Sequence, residues 1–363
     1  MICVLQFAHC SPNWSGSGYI QTCFATVQTE SPQTRQMRMA QTRDSARPRL
    51  LADIGGTNVR FALQKHGSKP RHVVVYRASE HKSFPGLLRT YLKRWNPKPR
   101  PVEAAFAIAC PIDGDLINLS NSPWSFSLED IRRSFKLERL EVTNDFAAVA
   151  LALPDLTPTD RRKIGRGKKV PGLPMAVLGP GTGLGVSCLV ESPSGRVALE
   201  TEGGHVTLPA FDDFEAGVLR FMRRDLGHVS AEKVLSGPGL VNLYKAVAPV
   251  EGQPSERLSP ATITSRALSG NCPACTHAID MFCEMLGTVA ADLALSTGAR
   301  GGVFIAGGIV PKLGSAFQAK RFRARFEDKG RFADYLKAIP TYLITHPTPA
   351  FLGLTYLLDR EPS

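Results

Sequence analysis

The sequence predicts an α/β protein of two lobes facing one another across a cleft, and three observations carry this expectation. The chain has 363 residues, about 2.4 times the ~150 residues of a common domain, so a single core is not the default. Strand and helix patterns alternate along it. A strand, a glycine-rich turn and a second strand open each half, at Arg49–Gln64 and again at Met175–Glu191, an internal echo of the kind that repeated architectures leave.

Residues 1–49 stand apart. They are rich in Ser, Thr and Gln, carry five Arg against Glu30 and Asp44, and show no apolar stripe. They read as a disordered extension or as a start placed too far upstream, with Met37 and Met39 just ahead of the first strand. The Arg-rich, acid-poor composition also resembles an organellar transit peptide, and no secretory signal is visible.

From Arg49 the texture changes. Arg49–Asp53 and Val59–Gln64 are short strands around the Gly55-Gly56-Thr57-Asn58 turn, a hairpin pattern. His72–Tyr76 is a β-branched strand, and Phe84–Trp95 has apolar residues at helical spacing. Glu103–Cys110 is a continuous apolar run stopped by Pro111, which suits a buried strand. Ser127 is placed to cap a helix over Leu128–Phe135. The strand Leu140–Thr143 runs directly into the helical stretch Phe146–Leu153. Six Lys/Arg within Arg161–Lys169 predict a solvated surface loop ending at Pro171.

The pattern then restarts with Met175–Leu178, the turn Gly179–Gly185 and Val186–Glu191. Helices are predicted over Phe214–Leu226, Ala261–Leu268 and Cys275–Leu295. The strand Gly302–Ala306, the Gly307-Gly308 turn and a further helix follow. The small lobe is expected over 50–155 with a returning C-terminal helix at about 346–363, and the large lobe over 156–345.

Composition narrows the function classes. The longest apolar run, Phe146–Leu153, has eight residues, far short of the roughly 18 a membrane span needs. The net charge of +12 raises anionic partners, but the aromatic residues do not cluster with the basic ones, so a nucleic-acid platform has little support. Of eight cysteines only Cys272 and Cys275 form a close pair. A structural zinc site wants a second such pair, so reduced thiols are the simpler expectation.

Four segments are suited to chemistry. Asp53-Ile54-Gly55-Gly56-Thr57 sets an acidic residue at the mouth of a tight turn. There backbone amides and a hydroxyl can meet a phosphate, and Asp53 can hold magnesium through water. Gly179–Gly185 repeats the device around Thr182. Neither segment is followed by Gly-Lys-Ser/Thr and each leads into a strand, so neither the Walker loop nor the dinucleotide fingerprint applies. Glu202-Gly203-Gly204-His205 is the third, and Ser236–Gly239, behind Ser230-Ala231-Glu232, is the fourth. Asn144-Asp145 sits where a strand meets a helix. That is a capping position, and also the end of the strand at which α/β folds present reactive groups. An Asp there can take a proton from an alcohol that attacks phosphorus.

Taken together, ADIGGTNVR, AIACPIDGD, SNSPWSF, VTNDFAAVA, LGPGTGLGV, EGGHV, HVSAEKVLSGPGLVNLY, GGVFIAGGIVPK and FEDKGRF, in this order from about Leu51 to the C-terminus, resemble the bacterial-type glucokinases of the hexokinase/actin-like sugar kinase superfamily. The resemblance implies the two-lobed actin-like ATPase fold (ribonuclease H-like), and ATP-dependent phosphorylation of D-glucose on its 6-hydroxyl with magnesium. This is the first step of glycolysis, set in the cytoplasm and carried out by a homodimer. It makes Asp145 the catalytic base with Asn144 beside it on the sugar. Glu202, His205 and Glu232 are placed on sugar hydroxyls, as is Asn121 of the SNSPW block. Ala52, Asp53, Ile54, Gly55, Gly56 and Thr57 become the first ATP phosphate segment, Gly181, Thr182 and Gly183 the second, and Gly307 and Gly308 lie by the adenosine. Carboxylates, an amide and an imidazole are the natural complement to a ring of hydroxyls. Asp145 is expected to need no unusual pKa. Another hexose as substrate, or a non-catalytic sugar sensor, are the alternatives. The cysteine-rich zinc motif of the repressor/open-reading-frame/kinase branch is missing from the sequence.

Overall fold

The computed structural model describes residues 47–119 and 122–361. The extension at residues 1–46 and the sugar-binding expectation for Asn121 lie outside the described residues.

Two sheets of matching plan organise the chain. The first takes β1 (Arg49–Ile54), β2 (Asn58–Gln64), β3 (Arg71–Arg77), β4 (Glu103–Ile108) and β7 (Arg139–Asn144) in the order β3-β2-β1-β4-β7. Here β1, β4 and β7 run parallel while β2 and β3 fold back as hairpins. A short ribbon of β5 (Leu116–Asn118) and β6 (Ser125–Ser127) stands beside it. The second sheet takes β8 (Arg161–Ile164), β9 (Met175–Pro180), β10 (Leu184–Ser192), β11 (Gly195–Thr201), β12 (Gly302–Ile305) and β13 (Thr341–Ile344) in the order β11-β10-β9-β12-β13-β8. Again the middle three, β9, β12 and β13, are parallel and the hairpin strands antiparallel. The repeated strand–turn–strand motif is therefore a repeated sheet topology, with β8 added at one edge.

Helices cover these sheets. α1 (Phe84–Trp95) starts on a Ser83 cap, and α2 (Leu128–Phe135) starts on Ser127, whose Oγ accepts from Asp130 N at 3.0 Å. They bury Phe84, Leu88, Tyr91 and Ile131 against Phe61 and Phe106 of the first sheet. α3 (Asp145–Ala152) is apolar all round, as a helix enclosed on every side must be. On the second sheet lie α4 (Asp213–Leu226), α5 (Gly237–Val250), α6 (Pro260–Leu268) and the long α7 (Pro273–Thr297). The short α8 (Ile309–Leu313), α9 (Ala319–Glu327) and α10 (Ala333–Ala338) follow. Cys272 caps α7, its Sγ accepting from Cys275 N at 3.2 Å, which gives the Cys272/Cys275 pair a structural use.

The chain ends by returning to its beginning. α11 (Pro349–Asp359) packs on α3 and also touches β4 and β1. A third apolar cluster joins Leu51 and Ala105 of the first sheet, Val149 of α3, Val177 and Phe304 of the second sheet, and Phe351 and Leu354 of α11. The last carbonyls of α11, orphans in any helix, accept from Arg49 and Arg139: Nη2 of Arg49 and Nη1 of Arg139 reach Leu358 O, both at 3.1 Å, and Nη2 of Arg139 reaches Leu357 O at 2.9 Å.

One expectation needs correction. Arg161–Lys169 is not simply a solvated loop, because Arg161–Ile164 is the edge strand β8, paired antiparallel with β13. Its charge is how an edge strand discourages further pairing, and Arg161 lies over the Tyr342 ring at 4.7 Å.

Candidate active site

The parallel strands of both sheets deliver the candidate residues from their C-terminal ends, where open α/β sheets place ligands. β1 ends in the first glycine turn and β7 in Asn144-Asp145. β9 ends in the second glycine turn and β12 in Gly307-Gly308.

The two turns meet. Thr57 Oγ1 of the first lies 3.3 Å from Thr182 Oγ1 of the second. Gly55 N–H closes its turn on Asn58 O at 3.0 Å, and Gly181 N–H closes the other on Gly183 O at 2.8 Å. Among the described residues the amides of Gly56, Thr57, Thr182 and Gly183 have no hydrogen-bond partner. Each turn thus offers two adjacent N–H donors and a hydroxyl, a concave nest for an anion. Ala52 and Ile54 of the first segment are fully buried and shape the turn through the strand ladder. Gly307 packs against Pro180, and Gly237 N–H donates to Gly181 O at 2.9 Å. The second turn, the start of α5 and the Gly307-Gly308 turn are therefore one cluster.

Asp145 heads α3. Asn144 is the cap of that helix, its Oδ1 accepting from Phe146 N at 2.8 Å and Ala147 N at 3.3 Å. Its Nδ2, 3.5 Å from Cys110 O, is the side-chain atom left to meet a ligand. Asp145 Oδ1 also accepts from Phe146 N, at 2.8 Å. Burial pushes the Asp145 carboxyl up to about 7, helped by the negative charges of Asp53 and Glu202. This corrects the expectation of an ordinary acidity: a carboxyl withdrawn from water near two other carboxylates resists ionising. Asp53 is raised as well, by burial, against the opposing pull of Arg60, whose Nη1 donates to Asp53 Oδ2 at 2.7 Å. The Cys110 thiol is pushed up by burial and then by Asp145, Asp113, Glu202 and Glu200, which places those acids around one point.

His205 Nε2 stands 3.7 Å from Glu202 Oε2. The chain from Glu202 to His205 lies beside Ser230–Glu232, since Ala231 N–H donates to Val206 O at 2.9 Å. Glu232 leans on the second turn, where its Oε2 accepts from Leu184 N at 2.9 Å and fills the space a side chain at Gly183 would take. That leaves Oε1 for a ligand.

Three contributors were not foreseen from sequence. Arg60 is the register partner of Asp53 in the β1–β2 hairpin, a pairing that counting back from the turn yields. The Phe146 ring fills the space beside Gly179 and Gly185, so strongly that a Cβ on Gly185 would overlap it. The start of α3, next to Asp145, thereby sits against the second hairpin. Glu200 reaches from β11 to β7, and its only sequence signal is that it shares strand parity with Glu202, two residues on.

A family model described as glucokinase matches residues 50–361. The chain belongs to the glucokinase family. It is 52% identical over 310 residues to a glucokinase of Paramagnetospirillum magneticum, covering 85% of this chain and 97% of that one. It is 47% identical over 314 residues to a glucokinase of Aromatoleum aromaticum, covering 86% and 95%. Among solved structures, a glucokinase from an Antarctic psychrotroph superposes with a TM-score of 0.78 at 38% identity, covering 86% of this chain and 99% of that one. The glucokinase of Balamuthia mandrillaris in complex with glucose, at a TM-score of 0.71 and 20% identity, covering 90% and 99%, shares the fold. As a member of the glucokinase family the chain is an enzyme, a phosphotransferase from ATP to glucose.

Proposed function

We propose that this chain phosphorylates the 6-hydroxyl of D-glucose with Asp145 as general base, in a cleft between two lobes built on the two sheets. Residues 50–155 with 346–363 form one lobe and 156–345 the other. The observation that carries the reading is the gathering of Asp53, Asp145 and Glu202 beside two threonine-bearing turns that touch.

Asp145 takes the proton of the 6-hydroxyl as that oxygen closes on the terminal phosphorus of ATP. One oxygen stays on Phe146 N–H, which fixes where the other points. Thr57, Thr182 and the free turn amides donate to phosphate oxygens and hold the phosphorus in line, which supplies most of the acceleration in phosphoryl transfer. Gly307 and Gly308 border the adenosine. Glu202, His205, the Nδ2 of Asn144 and the free oxygen of Glu232 pair with sugar hydroxyls, and Asn121 keeps its sugar assignment on the resemblance alone. Lobe closure then expels the water that would otherwise accept the phosphoryl group.

Magnesium fits this site. Such an ion keeps several waters and needs one or two carboxylates beside the phosphates, and Asp53 has an oxygen left over from its bond to Arg60. When bound, the ion neutralises charge on the phosphates. A homodimer in the cytoplasm completes the reading on the family resemblance.

Two results test these assignments. A panel of hexoses in a coupled ADP-release assay should favour glucose; glucose binding with no ADP formed would instead make the chain a sensor. Glu202→Gln should raise the KM for glucose about 10- to 100-fold, the worth of one charged hydrogen bond, with a smaller change in kcat. A normal KM would place Glu202 off the sugar.

The pH profile gives a further check. A base must be ionised to act, and the Asp145 carboxyl sits at about 7 in the free protein. Hence kcat/KM should rise about tenfold per pH unit below that value and level off above it. A profile flat from pH 5 to 8 would contradict the raised pKa of Asp145.

A further inference from the structure

Glu200 lies on β11, opposite Ser187 of β10. Its Oε1 accepts two hydrogen bonds from the last residues of β7, in the other sheet: Thr143 Oγ1 donates at 2.8 Å and Asn144 N at 2.8 Å. Asn144 directly precedes the proposed base, and Glu202 follows Glu200 by two residues. Thr201, between them, is fixed in turn, because its Oγ1 donates to Val186 O at 2.7 Å. The strand that delivers the base and the strand that delivers a sugar carboxylate are thus tied at a single oxygen atom. Both donors are neutral and the acceptor is a carboxylate, so each bond is of the stronger, charge-assisted kind.

We infer that Glu200 is a positioning residue for phosphoryl transfer, one that sets the spacing between Asp145 and the sugar held by Glu202 by clamping the end of β7 to β11. The inference rests on the assignment of Asp145 and Glu202 proposed above. Glu200 itself is solvent-exposed and belongs to none of the apolar clusters, so its removal leaves the cores untouched. Misplacing a reacting group by about 1 Å costs on the order of 10²-fold in rate, and a loosened β7 end moves the base by that sort of amount. The effect falls chiefly on kcat, because the proposed sugar ligands Glu202, His205 and Glu232 lie off β7 and only the Nδ2 of Asn144 moves with it.

The test is a comparison of Glu200→Ala, Glu200→Gln and Asp145→Asn in the full chain, reading kcat, the KM for glucose and the melting temperature. Glu200→Ala removes the acceptor and should lower kcat about 10- to 100-fold, with the KM for glucose within about threefold and Tm within about 2 °C. Glu200→Gln keeps an oxygen that accepts both bonds and should restore kcat to within about threefold of the parent. A kcat for Glu200→Ala within twofold of the parent overturns the inference. So does an equal loss of kcat and Tm in both Glu200 variants, which assigns the residue a merely structural role. Failure of the underlying reading looks different: Asp145→Asn would itself retain turnover.

Discussion

Asp145→Asn is expected to leave glucose affinity within a few-fold of the parent protein while lowering kcat by about 10²- to 10⁴-fold, the usual worth of a positioned general base. The substitution is nearly isosteric, and the amide oxygen still accepts from Phe146 N–H, so the first turn of α3 keeps its geometry. What goes is the capacity to take a proton. The same change also removes a carboxylate that the charges of Asp53 and Glu202 both oppose, so Tm should hold or rise. Single-turnover phosphorylation, isothermal titration with glucose and a thermal melt give the three numbers. Retained turnover would take Asp145 out of the base role, and loss of turnover together with a collapsed melt would make the residue structural.

Gly353→Ala should destabilise the fold by about 1–3 kcal/mol, the usual cost of overpacking, and lower Tm by several degrees. Gly353 is buried where α11 crosses α3, and a methyl group there would overlap the carbonyl oxygen of Ala148. Backbone cannot swing aside as a side chain does, so the two helices must separate. Since α3 begins at Asp145, kcat should fall along with stability. A melt within 1 °C of the parent, with unchanged turnover, would mean that the crossing is looser than the structure places it.

Much of the architecture was legible in local patterns. The apolar spacing of Phe84–Trp95 and the Ser127 cap of Leu128–Phe135 foretold two helices that the structure shows, and the two strand–turn–strand motifs became two sheets of the same order. Two of the elements that escaped notice, β8 and α5, borrow their stability. β8 is almost all charge, and it pairs because β13 offers an edge. α5 opens on Gly237-Pro238-Gly239, a segment that reads as a turn, yet Ser236 Oγ accepts from Gly239 N at 2.9 Å and starts a helix.

Of the site, residue types and their order could be read, because turns and strand ends announce themselves. Long-range geometry could not. That Thr57 touches Thr182, that Phe146 occupies the space left by Gly179 and Gly185, and that burial raises the Asp145 carboxyl are consequences of bringing together segments well separated along the chain.

The closing helix has a bearing on biosynthesis. A ribosome extrudes β1 and β4 long before α11, which packs on both. Until α11 emerges, Leu51, Ala105 and the apolar α3 lack their partner, and a nascent chain with such a gap is sticky. The first sheet therefore completes itself only when a segment encoded far downstream arrives, so its folding waits on synthesis of the second sheet.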